Sequence, residues 1–192
     1  TINEKKIIKK VFKREYKIQR IDGLEEKKVT PPKEFYERIK RENKWIGQAR
    51  LIDSDLIFFK KKFIIPVENA IITGVYGSQR ILNGKPKWPH YGLDFAAQEG
   101  TKIKAMLDGV VTLVEVDLFY TGGTLIFDHG HGISTLYMHM EKILVEKGQK
   151  VKQGDIIGTV GATGRATGAH LDVRLNWFDV RLDPATVLDI KK

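Results

Sequence analysis

What chemistry this sequence can perform rests on five histidines and their acidic neighbours, because cysteine is absent. Disulfides, thiolate nucleophiles and cysteine-based zinc sites are therefore excluded, and any metal must be held by His, Asp or Glu. The histidines stand at positions 90, 129, 131, 139 and 170. In His90-Tyr91-Gly92-Leu93-Asp94 two ligating residue types lie an even number of positions apart. On a strand both would point to one face, with Gly92 leaving that face uncrowded. His170 and Asp172 repeat the relation at a spacing of two. Two strands would thus present four polar groups to one cleft. His139 follows the run Ser134-Thr135-Leu136-Tyr137-Met138, where a histidine at a strand end reaches the same place.

Two other motifs read as structural. Asp128-His129-Gly130-His131-Gly132 has glycine on both sides of His131, the mark of a turn between strands rather than of a metal site. The stretch Gly161-Ala162-Thr163-Gly164-Arg165-Ala166-Thr167-Gly168 lacks the lysine and hydroxyl ending of a phosphate loop and opens no helix. It reads as a flexible, close-approaching turn that leads into His170.

The elements that must position these residues change character along the chain. From Phe63 onward the sequence consists of short β-branched runs separated by glycine turns. Strands are predicted at Ile71-Ile72-Thr73, Gly109 to Val116, Thr124 to Phe127, Ile133 to Tyr137, Ile156 to Val160 and Leu171 to Leu175. The turns Leu82-Asn83-Gly84-Lys85, Thr121-Gly122-Gly123 and Lys147-Gly148-Gln149 suit hairpins or loops. The fold class expected is mainly β, an antiparallel sheet or sandwich over residues 63–192. Residues 1–62 read as a small α+β appendage. A weak alternation at Tyr16 and Ile18 suggests an exposed strand between Phe12 and Ile21. Thr30 as N-cap and Pro31 at the first helical position predict a helix from about residue 31 to 50, with Phe35, Ile39 and Ile46 on one face. A short apolar patch between Asp53-Ser54-Asp55 and Lys60-Lys61-Lys62 joins the two parts.

The chain has 192 residues and a formal charge of +9, and that charge is not spread evenly. Residues 1–62 hold 19 Lys and Arg against 10 Asp and Glu, whereas residues 63–192 hold 14 of each. The basic character belongs wholly to the first third. A solvated surface is the plain explanation, since no nucleic-acid motif or interleaved aromatic platform accompanies it, and no nucleic-acid partner is expected. No apolar run approaches the roughly 18 residues of a spanning helix. Thr1 opens the chain without a signal core behind it, which reads as a processed or trimmed form with room for a signal or membrane anchor upstream.

Order and spacing together carry a resemblance. The blocks His90-Tyr91-Gly92-Leu93-Asp94, Tyr137-Met138-His139 and Thr163-Gly164-Arg165-Ala166-Thr167-Gly168-Ala169-His170-Leu171-Asp172, with Val151-Lys152-Gln153-Gly154-Asp155-Ile156-Ile157-Gly158 leading into the third, resemble the lysostaphin and LytM family of zinc metallopeptidases. The resemblance spans about Phe63 to Pro184. It implies the family's duplicated hybrid motif, a β-sandwich-like domain, and one zinc ion with His90 and Asp94 among its ligands. It also implies that His139 and His170 flank the catalytic water, sharing base and oxyanion roles that the sequence does not apportion. The family's third block usually reads His-x-His, and this chain has Asp172 in the second position. Aspartate ligates zinc at about 2.0 to 2.2 Å, so His90, Asp94 and Asp172 form a reasonable ligand set with an open fourth position. A second carboxylate should weaken the ion's pull on water. The implied function is hydrolysis of peptide crosslinks in bacterial peptidoglycan by an exported, periplasmic or envelope-associated enzyme. The alternative is a non-catalytic relative that binds or activates another wall hydrolase.

Overall fold

A computed structural model describes residue 10 and residues 13–190. The strands, in chain order, are β1 (Ile18–Ile21), β2 (Ile71–Gly74), β3 (Gln79–Leu82), β4 (Lys85–Pro86), β5 (Leu93–Ala96), β6 (Lys102–Lys104), β7 (Gly109–Leu118), β8 (Gly122–Asp128), β9 (Ile133–Ile143), β10 (Lys150–Val151), β11 (Ile156–Val160), β12 (His170–Trp177) and β13 (Val180–Leu182). A one-turn helix, α1 (Glu26–Val29), and a longer one, α2 (Tyr36–Arg50), precede most of them. The large sheet runs β10-β7-β8-β9-β12-β5-β2, and every pair along that path is antiparallel. A small sheet, β1-β3-β4, stands beside it, with β1 parallel to β3. The mainly β architecture expected from the sequence is the one observed. Asn83 and Gly84, both at positive φ (46° and 76°), close the β3–β4 hairpin in the left-handed conformation that a two-residue turn requires.

Period-two patterning explains the layers. Leu171, Val173 and Leu175 of β12, Leu93 and Phe95 of β5, Leu125 and Phe127 of β8 and Tyr137 of β9 fill the main core, together with Ile103, Leu107, Ile157 and Val160. The opposite face of the same sheet has two fates. Over β7, β8 and β9 it presents Leu113, Ile126 and Leu136, which Trp45, Ile46 and Ala49 of α2 cover. Over β12 and β5 it presents His170, Asp172, Arg174 and Asp94, the alternate positions of those strands.

The described part of the basic first third packs on the rest of the molecule. β1 pairs with β3, and Leu24 and Val29 pack with Leu82. The joining segment runs along the 128–131 turn, where the amide of Phe58 donates to the His129 carbonyl (3.1 Å), the amide of His131 donates to the Ser54 carbonyl (2.9 Å), and the Ser54 hydroxyl donates to Asp128 Oδ2 (2.6 Å). The predicted strand from Phe12 begins outside the described residues and is observed over Ile18–Ile21. The helix differs from expectation at its start: Thr30 does not cap it, and its hydroxyl instead meets Lys85 Nζ (2.9 Å). A 3₁₀ turn over Lys33–Phe35 intervenes before α2 begins. The buried positions of α2 are Glu42 and Ala49, while Phe35 packs on Phe119 at 4.9 Å and Ile39 is partly exposed. Glu42 is satisfied by Arg38 (2.5 Å) and by the Phe119 amide (2.7 Å). No helix among the described residues is long and apolar enough to cross a membrane.

Candidate metal and catalytic site

Asp94 and Asp172 are directly opposite each other on the paired strands β5 and β12. Like charges in that relation repel, so the arrangement needs positive compensation. Three groups supply it. Arg80 Nη2 bonds Asp94 Oδ2 at 2.5 Å, Arg174 Nη2 bonds Asp172 Oδ2 at 3.1 Å, and His90 Nε2 lies 3.1 Å from Asp94 Oδ1 and 3.3 Å from Asp172 Oδ2. Glycines on the flanking segments make room for the carboxylates. A Cβ at Gly74, the β2 partner of Asp94, would overlap the Asp94 carboxylate, and one at Gly92 would overlap that of Asp172.

His90 is not on a strand, contrary to the even-spacing expectation. β5 begins at Leu93, and His90 is placed by a loop whose backbone is tied to Gly77 and Ser78: the His90 amide donates to the Ser78 carbonyl (2.8 Å) and the Gly77 amide to the His90 carbonyl (2.7 Å). His139 is also placed differently. It lies inside β9, at a bulge where Gly123 pairs with Met140 but Leu125 with Tyr137, so β9 carries one extra residue. His139 absorbs it with φ of 64°, a left-handed conformation costly for a side chain with a Cβ, and its amide donates to the Thr121 carbonyl (2.8 Å). The bulge re-aims the imidazole toward His170, 4.7 Å away between ring centroids.

Both of these imidazoles have a fixed tautomer. His139 Nδ1 donates to the Thr163 carbonyl and His170 Nδ1 to the Gly168 carbonyl, each at 2.8 Å, which leaves each Nε2 with a lone pair. Thr163, from the glycine stretch, is itself locked, accepting from the Gly123 amide (2.9 Å) and donating to the Met140 carbonyl (2.9 Å). The loop read from the sequence as a flexible turn is therefore an orienting device. Burial, followed by the charge of His170, lowers the pKa of His139 to about 4, so its ring is neutral at pH 7. For His90, burial opposes the charge most strongly of any single cause, yet Asp172 and Asp94 together outweigh it and raise its pKa. Burial likewise opposes ionisation of Asp172, and Arg174 and His90 overcome it, holding the carboxyl well below the usual range.

The donor set fits a divalent transition metal. One imidazole nitrogen and two carboxylate oxygens, from His90, Asp94 and Asp172, lie within 4.8 Å of one another, all on buried residues. Asp94 Oδ1 is buried and makes no well-aligned hydrogen bond, with His90 Nε2 3.1 Å away, which leaves it an acceptor available to a cation. The two remaining histidines do other work. His129 donates from Nδ1 to the Asp108 carbonyl (2.7 Å) and accepts at Nε2 from the Thr135 hydroxyl (2.8 Å), packed between Phe63 and Phe127. His131, at φ of 49°, is exposed and edges onto Phe59. Arg80, Arg174, Gly74 and Thr163 were not legible as site residues, because their roles depend on which strands adjoin.

Residues 88–184 match the model of Peptidase family M23, and the chain belongs to that family. Among curated proteins it is similar to the peptidoglycan DD-endopeptidases ShyA and ShyC of Vibrio cholerae. It is 46% identical to ShyA over 87 residues, covering 45% of this chain and 20% of that one. To ShyC it is 35% identical over 131 residues, covering 67% and 30%. The chain thus spans less than a third of the length of these relatives. Among solved structures, a peptidase M23 from Pseudomonas aeruginosa superposes with a TM-score of 0.69 at 37% identity, covering 80% of this chain and 61% of that one. The catalytic domain of lysostaphin from Staphylococcus simulans superposes with a TM-score of 0.55 at 30% identity, covering 62% and 91%.

Proposed function

We propose that the chain is the hydrolytic module of a zinc metalloendopeptidase that cuts peptide crosslinks of peptidoglycan outside the cytoplasm. The observation that carries this reading is the convergence of His90 Nε2, Asp94 Oδ1 and Asp172 Oδ2 beside the paired imidazoles of His139 and His170. Zinc, when bound by His90, Asp94 and Asp172, supplies Lewis-acid polarisation of the scissile carbonyl and a more acidic water. His139, held neutral by burial and oriented by Thr163, accepts the proton of the attacking water at Nε2. His170, which lines the open cleft and whose Nδ1 is committed to the Gly168 carbonyl, offers its Nε2 lone pair to a hydrogen bond from the attacking water or a substrate N–H. The names of the relatives support peptidoglycan as the substrate and a site of action beyond the inner membrane.

A second reading has one observation in its favour. Arg80 and Arg174 already neutralise both carboxylates, so the site is compensated in charge without an ion, as a non-catalytic binding module would require. One experiment separates the two readings. Purified peptidoglycan is digested with the chain in the presence of zinc, and the released fragments are analysed by mass spectrometry with and without a chelator. New peptide termini that vanish with chelator are the expected result. A zinc-loaded chain that releases none would overturn the hydrolase reading, and a chain that takes up no zinc at all would favour the binding module.

A further inference from the structure

A cleft of about 260 Å³ opens beside the catalytic histidines, and its walls include Gln19, Ile21, Arg80, Asp94, Arg165 and His170. Its charges do not cancel. Arg80 and Arg165 line it with one carboxylate, that of Asp94, and the neighbouring pair of Arg174 with Asp172 is not part of its lining. Arg80 is matched with Asp94 and Arg174 with Asp172, which leaves Arg165 without an acidic partner among the described residues. Its side chain makes one hydrogen bond there, a long one of 3.5 Å from Nη1 to the Lys28 carbonyl, and its guanidinium lies 4.6 Å over the Tyr120 ring.

This arginine is not a solvated arm. Its amide is tied to the Tyr120 carbonyl (2.8 Å), and the preceding Gly164, at φ of 72°, sits so close to Gly122 and Tyr120 that a Cβ there would overlap their backbone. Arg165 is partly buried, and burial first, then the charges of Arg80 and Arg174, pull its pKa below the usual value. A desolvated cation on the wall of an open cleft, with a single long hydrogen bond from its side chain, is arranged for an anion that arrives from outside. The planar fork of a guanidinium matches a carboxylate in two parallel hydrogen bonds. Arg165 and His170 line the same cleft, so an anion bound at Arg165 lies in the space that also reaches His170.

We propose that Arg165 forms an anion subsite that binds a free carboxylate of the peptide substrate beside the scissile bond, an inference that rests on the hydrolase reading above. The test uses two synthetic crosslinked peptides that differ in one group, a free carboxylate next to the scissile bond or its carboxamide. Turnover is measured with the parent chain, and affinity by calorimetry with the His139→Ala form, which leaves the peptides intact. The expected result is a preference for the carboxylate of roughly tenfold or more in both measurements, as a charge-assisted pair supplies. Arg165→Gln should abolish that preference and Arg165→Lys should keep part of it. Equal handling of the two peptides by the parent, or an undiminished preference in Arg165→Gln, would overturn the subsite. A carboxylate preference in binding with no cleavage of either peptide would overturn the hydrolase reading and leave the subsite standing. Neither binding nor cleavage would overturn both.

Discussion

One face of one sheet serves two purposes in this molecule. Over β7, β8 and β9 it carries Leu113, Ile126 and Leu136 and is sealed by Trp45, Ile46 and Ala49 of α2. A few ångströms along the same surface, over β12 and β5, it carries Asp94, Asp172 and Arg174 and opens to a cleft. The boundary runs between β9 and β12, where Leu136 pairs with Arg174. Both halves rest on the same apolar core beneath. The difference teaches that the scaffold does not define the site: the half over β5 and β12 is the candidate site because its charges are mutually constrained and its imidazoles fixed, whereas over β7, β8 and β9 an amphipathic helix takes up the apolar surface.

The comparison is broken most completely at the ligands. His90→Ala and Asp94→Ala are each expected to lose stoichiometric zinc and all detectable peptidoglycan cleavage, measured by metal analysis and digestion, because two protein ligands hold the ion poorly. Zinc retained at one per chain in either variant would refute the ligand assignment. His139→Ala, by contrast, should keep its metal and its fold while activity drops about 10²- to 10⁴-fold, the range of a lost proton-transfer group. On the covered half the sign of the trade reverses. Leu136→Ala should cost about 2 to 5 kcal/mol of stability in denaturant unfolding, yet leave zinc content per folded chain unchanged.

The Asp172–Arg174 pair sharpens the comparison at the boundary. Because Arg174 shares the Oδ2 atom that faces His90, Arg174→Ala should tighten zinc binding, by about tenfold in a competition titration. Asp172→His should retain zinc and shift the rising limb of the pH profile downward, since a neutral ligand leaves more charge on the ion. Arg174, left unpaired beside the ion, adds positive charge that favours the ionised water still further, so the double variant Asp172→His with Arg174→Ala should bind zinc more tightly yet show the smaller pH shift. An equal shift in the single and double variants would show that Arg174 does not act on the site. The smallest effect expected is pH-dependent and lies away from the cleft. Burial lowers the pKa of His129 to about 4, against about 6.5 in the unfolded chain. The folded value is depressed, so the unfolded chain binds more protons between these limits. Its contribution to stability is therefore complete above about pH 6.5 and lost as pH falls toward 4. His129→Gln should flatten that part of the stability curve and leave cleavage at pH 7 nearly unchanged.

The sequence by itself determined the β class, the positions of the longer strands and the identity of all five histidine and aspartate residues now found together. It did so because strand periodicity and glycine turns are local properties, and because metal-ligand residue types are few in a chain without cysteine. It also separated His129 and His131 from the others, since flanking glycines report turn geometry without reference to the rest of the fold. What only the tertiary structure decided were relations across strands. The register that sets Asp94 against Asp172, the bulge that turns His139, the carbonyls of Thr163 and Gly168 that fix two tautomers, and the arginines that compensate the carboxylates all depend on which segments adjoin. The fate of the basic first third belongs there too. A helix with a partly apolar face states that it must cover something, and only the packed sheet settles that Leu113, Ile126 and Leu136 are what it covers. Pairing partners separated by tens of residues leave no periodic trace in a single sequence, which is why the site's residues were legible and its electrostatics were not.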